Sequence, residues 1–270
     1  MISASPRVFV GFFGIDRSMR WTERSLRRNI LEPFRAAGIT PRVAAHFNMA
    51  ARINKSHGGE DNVKLGRPRL DRLPLELVWL EEQSIQRLPP ELHRWTEHAF
   101  EGDLESKRLD RVHLMYQLRS LRQLWTLAGL MGAQDCDLFV FIRPDLEYVD
   151  PIDVPATLRQ VLDEHVDLIT PTWHQFEGLN DRFAFCSRRG AEVYVDRLSY
   201  VTRFSEERGY LSGEGLVKFA AEANQLKLGF TEVRAMRVRA TGATWREEFK
   251  LTPWQVARSI ARKRLARIGL

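Results

Sequence analysis

The chain has 270 residues, of which 44% are hydrophobic and 28% are charged, which is typical of a globular protein. This length supports one large α/β domain or two small ones. No apolar run approaches the roughly 18 residues of a membrane-spanning helix, and the N-terminal residues lack the pattern of a signal peptide. Two cysteines, Cys136 and Cys186, make neither a disulfide framework nor a metal-ligand spacing, so we expect a reducing, cytoplasmic location.

Apolar runs alternate with segments of helical periodicity, and this order predicts a mostly parallel sheet flanked by helices. In chain order the pattern predicts a strand at 7–13, a helix at 18–38, a strand at 41–47, a polar loop or insertion at 48–74, a short strand at 75–80, helices at 90–100 and 109–131, a strand at 137–142, a helix at 155–165, strands at 167–170 and 182–187, helices at 188–198 and 213–225, one or two strands in 227–238, and a helix at 252–268. We therefore predict a single domain over residues 1–250, followed by a separate C-terminal helix in 251–270.

An acidic pair follows the strongest predicted strand. The strand 137–142 leads into Arg143 and then presents Asp145 and Glu147. Side chains two residues apart on an extended chain point the same way, and two carboxylates so placed can hold one Mn²⁺ or Mg²⁺ ion. A metal at the end of such a strand would neutralise a diphosphate leaving group. The spacing alone also fits a polar strand exit, because the same tripeptide recurs at 103–105 with no strand before it.

Two segments resemble the GT-A glycosyltransferases. Residues 137–147 are similar to the Asp-x-Asp region of that family, with Glu147 at the second acidic position. Residues 178–185, Gly-Leu-Asn-Asp-Arg-Phe-Ala-Phe, resemble a segment of bacterial glycosyltransferase-like proteins, many associated with surface polysaccharides. The resemblance covers about residues 7–240. It implies a GT-A-like, Rossmann-like α/β fold with a mixed, mostly parallel sheet, and transfer of a sugar from a nucleotide-sugar donor to a glycan or lipid-linked acceptor.

The resemblance also implies roles for individual residues. The predicted donor-binding residues are Gly14, Asp16, Arg17, Gln123, Arg143, Asp145 and Glu147, with Asp145 and Glu147 as ligands of the divalent metal. The predicted acceptor-binding residues are His174, Asn180 and Arg182, and the predicted catalytic bases are Asp181 and Glu214. Structural roles compete with several of these assignments: Asn180 and Asp181 also suit a turn, and Glu214 also suits the first turn of a helix.

The basic C-terminal segment carries much of the net charge of +6, because five basic residues and no acidic one lie in the last 13 residues. An apolar stripe and a basic face in 252–268 are typical of a helix on an anionic membrane, which would place the protein at the inner face of the membrane. The same pattern fits a helix packed on the body. Nucleic-acid binding is not expected, since the basic residues are not interleaved with stacking aromatic residues.

Two other functions compete with sugar transfer. A catalytically silent nucleotide-sugar-binding or scaffold protein would keep the fold and bind the donor without turnover. A nucleotidyltransferase needs a Gly-rich basic loop after the first strand, and residues 11–17 match that loop poorly.

Overall fold

The computed structural model describes residues 5–55, 60–68, 70–100, 105–244 and 249. The strands in this part of the chain are β1 (Val8–Ile15), β2 (Arg42–Met49), β3 (Arg52–Lys55), β4 (Glu60–Lys64), β5 (Leu77–Glu82), β6 (Leu138–Ile142), β7 (Leu146–Tyr148), β8 (Leu168–Pro171), β9 (Phe183–Cys186), β10 (Leu228–Thr231) and β11 (Ala235–Arg237). The α-helices are α1 (Met19–Leu26), α2 (Glu32–Ala36), α3 (His93–Glu97), α4 (Glu105–Leu130), α5 (Val154–Leu158), α6 (Arg188–Val195), α7 (Val201–Arg208) and α8 (Gly213–Ala223).

Seven strands form the central sheet in the order β10-β8-β9-β6-β1-β2-β5. Strand β9 runs antiparallel to both of its neighbours, β6 and β8, and the other neighbouring pairs are parallel. Two small antiparallel pairs lie apart from this sheet, β7 with β11 and β3 with β4. The predicted mixed, mostly parallel α/β sheet flanked by helices is therefore confirmed.

The central strands are buried on both faces, which explains why they read as continuous apolar runs. On one face, Val10 and Phe12 of β1 share a core with residues of α1 and the π-helical turn Arg27–Leu31 that follows it. On the other face, Phe9 and Phe13 pack with Leu121 and Leu124 of α4. The side chains of β1 thus alternate between two cores.

Helix α4, with 26 residues, contributes to two cores. Leu121 and Leu124 pack on the sheet, and Met115 and Leu118 form a third core with α3, α7 and α8. Leu216 of α8 belongs to this third core and is fully buried. This packing holds the start of α8 and the N-terminal half of α4 above the edge at which the parallel strands end.

Several predicted elements are corrected by the structure. The predicted loop or insertion at 48–74 contains the β3–β4 hairpin and a 3₁₀ turn at Leu70–Arg72. The predicted helix at 90–100 is a 3₁₀ turn followed by the short α3, and the one at 188–198 ends at Val195. Helix α7 was not predicted, because few of its residues are apolar and charged residues fill its last turn. The single-domain boundary stays a prediction, and the helix at 252–268 lies outside the described residues.

A buried serine ties α4 to the ends of β1 and β2. The hydroxyl of Ser120 accepts a hydrogen bond from the Gly14 amide (2.8 Å) and donates one to the His46 carbonyl (2.8 Å). The Nδ1 atom of His46 lies 2.9 Å from the same hydroxyl. Burial lowers the pKa of His46 to about 4, so the ring is neutral at pH 7. Gly14 adopts φ +105°, a conformation that favours glycine.

We expect Ser120→Ala to lower the free energy of unfolding by about 1–3 kcal/mol, because the buried Gly14 amide and His46 ring lose their partner. Thr126→Ala, on an exposed position of the same helix, is the matched control and should change it by less than about 0.5 kcal/mol. Urea denaturation of both variants measures the difference. Equal effects would show that the serine contributes no more than helix propensity.

Candidate functional site

A cavity of about 430 Å³ opens at the carboxyl edge of the central sheet. Its walls come from the ends of β1 and β2, the loop after β6, the loop before β9, the start of α8 and the N-terminal half of α4. Ligands of open α/β sheets bind at this edge, and the volume suits a small molecule. We call it the edge cavity.

The carboxylate of Asp145 is clamped by two arginines at one wall of the edge cavity. Arg143 donates from Nε to Oδ1 (3.0 Å) and from Nη2 to Oδ2 (2.8 Å). Arg17 donates from Nε to Oδ2 (3.1 Å), and its Nη2 contacts the same oxygen. Burial alone would raise the pKa of Asp145, but the charges of Arg143 and Arg17 outweigh it and hold the pKa well below its usual value. Asp145 is therefore a permanent anion with both oxygens engaged.

Behind this clamp lies a second buried acid, Glu60, at the start of β4. It is fully buried and accepts hydrogen bonds from Arg17 Nη1 (2.8 Å), Arg239 Nη1 (3.1 Å) and the Ala240 amide (2.7 Å). The hairpin thus fixes the guanidinium of Arg17 from the side opposite Asp145. No sequence signal distinguished Glu60 from the polar residues around it.

In the described part of the chain, the charged side chains that line the edge cavity are five arginines and the acids Asp110, Asp145, Asp181 and Glu214. Among the residues that the structure describes, the arginines that line the edge cavity are Arg17, Arg52, Arg111, Arg143 and Arg237. Burial, together with the nearby positive charges of Arg182 and Arg143, lowers the pKa of Arg237 to about 9. Arg237 still carries its charge at neutral pH. The sequence analysis did not single out Arg237, and its signal is the spacing of two residues between Arg237 at the end of β11 and Arg239 after the strand.

Two further carboxyl groups, Asp181 and Glu214, line the edge cavity. Asp181 accepts a hydrogen bond from Gln117 Nε2 (3.2 Å). Burial raises the pKa of Asp181, but the charges of Arg143 and Arg197 outweigh it and lower the pKa overall. Glu214 behaves differently, because burial and the negative charge of Asp181 raise its pKa to about 7. At neutral pH Asp181 is thus an anion, whereas Glu214 can gain or lose a proton.

The loop before β9 needs its glycine and asparagine to present Asp181. A Cβ on Gly178 would lie 2.0 Å from the Glu214 carbonyl oxygen, so only glycine lets the loop approach α8 this closely. The Leu179 amide donates to that same carbonyl (3.0 Å). The side chain of Asn180 donates to the Trp173 carbonyl (2.7 Å) and accepts from the Arg182 amide (2.9 Å). The segment that resembles the bacterial glycosyltransferases therefore docks Asp181 against the first turn of α8.

The structure brings together some predicted site residues and not others. Those that line the edge cavity are Gly14, Arg17, Arg143, Asp145, His174, Asp181 and Glu214. Those that do not line it are Asp16, Gln123, Glu147, Asn180 and Arg182.

Each residue outside the cavity wall has an identifiable position. Asp16 accepts a hydrogen bond from the Met19 amide (3.1 Å) at the start of α1. Gln123 is six residues beyond Gln117 on α4, which turns it to another side of the helix. Both ends of the Asn180 amide bond the local backbone, and Arg182 lies 5.3 Å from the ring of Trp173. Binding roles for these residues gain no support from the geometry.

The predicted metal ligands do not form a cation site in this arrangement. Asp145 lines the edge cavity, but Glu147 does not, and guanidinium groups occupy both oxygens of Asp145. In the described ranges, no group of three or more His, Cys, Asp or Glu residues is arranged to hold a metal ion. The side chains present here therefore suit an anion better than a divalent cation.

Comparisons with known proteins add little to this geometry. The sequence matches no protein-family model and no curated protein. Among solved structures, the apo form of mouse xyloside xylosyltransferase 1 is similar, with 11% identity, 84% of each chain covered and a TM-score of 0.42. A likeness of this level transfers no residue and no reaction to this chain. The resemblance of residues 178–185 to bacterial glycosyltransferases stays a prediction.

No helix in the described part of the chain is long and apolar enough to cross a membrane.

The raised pKa of Glu214 predicts a pH-dependent stability. Below about pH 4.5, Glu214 is protonated in both the folded and the unfolded chain, and its full contribution is present. Between about pH 4.5 and 7, Glu214 is ionised in the unfolded chain but still protonated in the folded chain. The free energy of unfolding therefore falls as the pH rises through this range and up to about 7. We expect Glu214→Gln to match the wild type near pH 5 and to exceed its free energy of unfolding by about 1–3 kcal/mol near pH 8.

Urea denaturation across this pH range is the measurement. Glu222→Gln, an exposed change at the other end of the same helix, is the control and should show no such trend. A pH-independent difference between the wild type and Glu214→Gln would contradict the raised pKa.

Proposed function

We propose that this protein is a glycosyltransferase that moves a sugar from a nucleotide-diphosphate-sugar donor to a glycan or lipid-linked acceptor. The observation that carries the proposal is the edge cavity itself, whose lining combines guanidinium groups with the Asp181–Glu214 pair. Sugar transfer needs both, because a diphosphate leaves with negative charge while the acceptor hydroxyl gives up a proton.

The arginines that line the edge cavity suit the leaving group. Guanidinium groups bind phosphate oxygens with two parallel hydrogen bonds and keep their charge when partly buried. Arg17, Arg143 and Arg237 all line the cavity. Charge that develops on the departing diphosphate would therefore meet preorganised cations.

The Asp181 and Glu214 carboxyl groups suit the acceptor. Glu214 is the proton acceptor in this proposal, because a group with a pKa of about 7 is partly ionised at neutral pH and returns its proton readily to water. Asp181 stays ionised and keeps the pKa of Glu214 high. As a fixed anion lining the cavity, it would also stabilise positive charge on the sugar as the donor bond breaks.

The finer assignments rest on the sequence resemblance alone. A role in surface-polysaccharide synthesis, a UDP-linked donor and a divalent metal cofactor all come from the similarity of segments 137–147 and 178–185 to that family. Membrane contact through residues 252–268 is supported only by their amphipathic, basic pattern.

A catalytically silent nucleotide-sugar-binding protein is the second candidate. The observation that favours it is the engagement of Asp145 by Arg17 and Arg143, since a carboxylate paired with two guanidinium groups is poorly suited to the metal-binding role that the resemblance implies. Such a protein would bind the donor at the same cavity and leave it intact.

One experiment separates the two candidates. The purified protein is titrated with a panel of nucleotide-sugars while its thermal stability is followed, and donor hydrolysis and transfer are then measured with the one that binds. We expect one donor to raise the melting temperature, and Glu214→Gln to bind it similarly while its kcat falls by about 10²–10⁴-fold, because the proton acceptor is lost.

Asp163→Asn, an exposed change far from the cavity lining, is the control and should leave kcat unchanged. A donor that binds without turnover in the wild type would support the silent protein. No binding by any nucleotide-sugar would overturn both candidates.

A further inference from the structure

We infer that the edge cavity binds a diphosphate group directly through Arg143 and Arg237, with Arg17 and Asp145 as positioning residues and no divalent cation. The inference deepens the proposed function and rests on it for the kind of substrate. It also replaces the metal-binding role that the sequence resemblance implied for Asp145 and Glu147.

The geometry around Asp145 resists a cation. Its two oxygens accept hydrogen bonds from Arg143 at 2.8 and 3.0 Å and from Arg17 at 3.1 Å. A divalent ion binds carboxylate oxygens at about 2.0–2.6 Å. Because Oδ2 already accepts three guanidinium donors, only the second acceptor site of Oδ1 is left for such an ion, next to the positive charge of Arg143. The same arginines attract an anion, which can bind without breaking their hydrogen bonds to Asp145.

Arg17 and Arg143 differ in how many guanidinium donors remain available to a ligand. Arg17 uses Nε and Nη2 on Asp145 and Nη1 on Glu60, so every nitrogen of its guanidinium is engaged within the protein. Arg143 uses Nε and Nη2 on Asp145, and its Nη1 makes no bond to the residues that the structure describes. Arg143 lines the edge cavity, so Nη1 is the donor that a phosphate oxygen would meet.

Arg237 supplies the second contact. It lies on β11 and lines the cavity, and the neighbouring arginines Arg143, Arg182 and Arg17 all act on it. Burial lowers the pKa of Arg237 most, and the positive charges of Arg182 and Arg143 lower it as well. A bound phosphate would offset those positive charges.

The role of Asp145 differs in the two schemes, and the effect of a metal on Asp145→Asn separates them. If Asp145 held a metal, the substitution would weaken diphosphate binding in Mn²⁺ and leave binding in EDTA unchanged. If it orients Arg17 and Arg143, the substitution should weaken binding by the same factor in EDTA and in Mn²⁺, because the NH₂ group of the amide would face a guanidinium donor.

The test is isothermal titration of the whole chain with inorganic pyrophosphate and, separately, with a nucleoside diphosphate, in EDTA and in Mn²⁺. We expect the Kd in EDTA to lie within about threefold of the Kd in Mn²⁺. We expect Arg237→Gln to weaken binding by about 10–100-fold, since a hydrogen bond to a charged group is lost. Asp145→Asn should weaken binding by the same factor in EDTA and in Mn²⁺, and a loss confined to Mn²⁺ would overturn the inference.

Arg234→Gln is the matched control. Its guanidinium pairs with Asp150 (2.7 Å) away from the cavity lining, so pyrophosphate affinity should not change. Thermal unfolding of each variant shows that it is folded, and the wild-type titration in EDTA tests the inference even where a variant is not. Binding that requires Mn²⁺, or no pyrophosphate binding under either condition, would overturn the inference.

The same samples keep this inference distinct from the proposed function. Pyrophosphate binding in EDTA with no transfer from any nucleotide-sugar would support the anion site and count against the glycosyltransferase. Sugar transfer that occurs only with Mn²⁺ would support the glycosyltransferase and overturn the metal-free site.

Discussion

The site depends on a chain of buried charges that crosses the carboxyl edge of the sheet, from Arg239 through Glu60 and Arg17 to Asp145 and Arg143. Three of its four links join segments that are distant in sequence, namely the end of β1, the β3–β4 hairpin, the loop after β6 and the segment after β11, and the fourth joins Arg143 to Asp145 within one loop. Removing one partner from such a buried pair costs about 3–5 kcal/mol, because the other charge is left without compensation. The network therefore holds the arginines in one arrangement before any ligand arrives.

One arginine of this network, Arg143, also affects the protonation of the acidic residues that line the edge cavity. Arg143 acts on Asp145 and also on Asp181, whose pKa it lowers against the effect of burial. The ionised Asp181 in turn raises the pKa of Glu214. Burial and the neighbouring charges thus give Asp181 and Glu214 different protonation states, which is the arrangement that assigns acid and base roles in many enzymes. The arginines and the carboxyl groups of the edge cavity are for this reason electrostatically coupled.

The fold followed closely from local patterns where burial is complete. Strands β1 and β6 are apolar along nearly their whole length because helices cover both faces of the sheet, so their runs stand out in the sequence. The β3–β4 hairpin gave no such signal, since it lies outside the central sheet and carries polar residues. Helix α7 was missed for the related reason that few of its side chains are buried.

The candidate site shows where sequence patterns end. The sequence by itself determined the strand that delivers Asp145, the glycine that lets the 178–181 loop approach α8, and Asp181 and Glu214 as acidic candidates, because these depend on local chain geometry. Only the tertiary structure decided that Asp145 faces two arginines, that Glu147 lies outside the cavity wall, and that Glu60 and Arg237 belong to the site. Electrostatic roles depend on which charges meet in space, and residues such as Glu60 and Arg239, 179 positions apart, meet only in the folded chain.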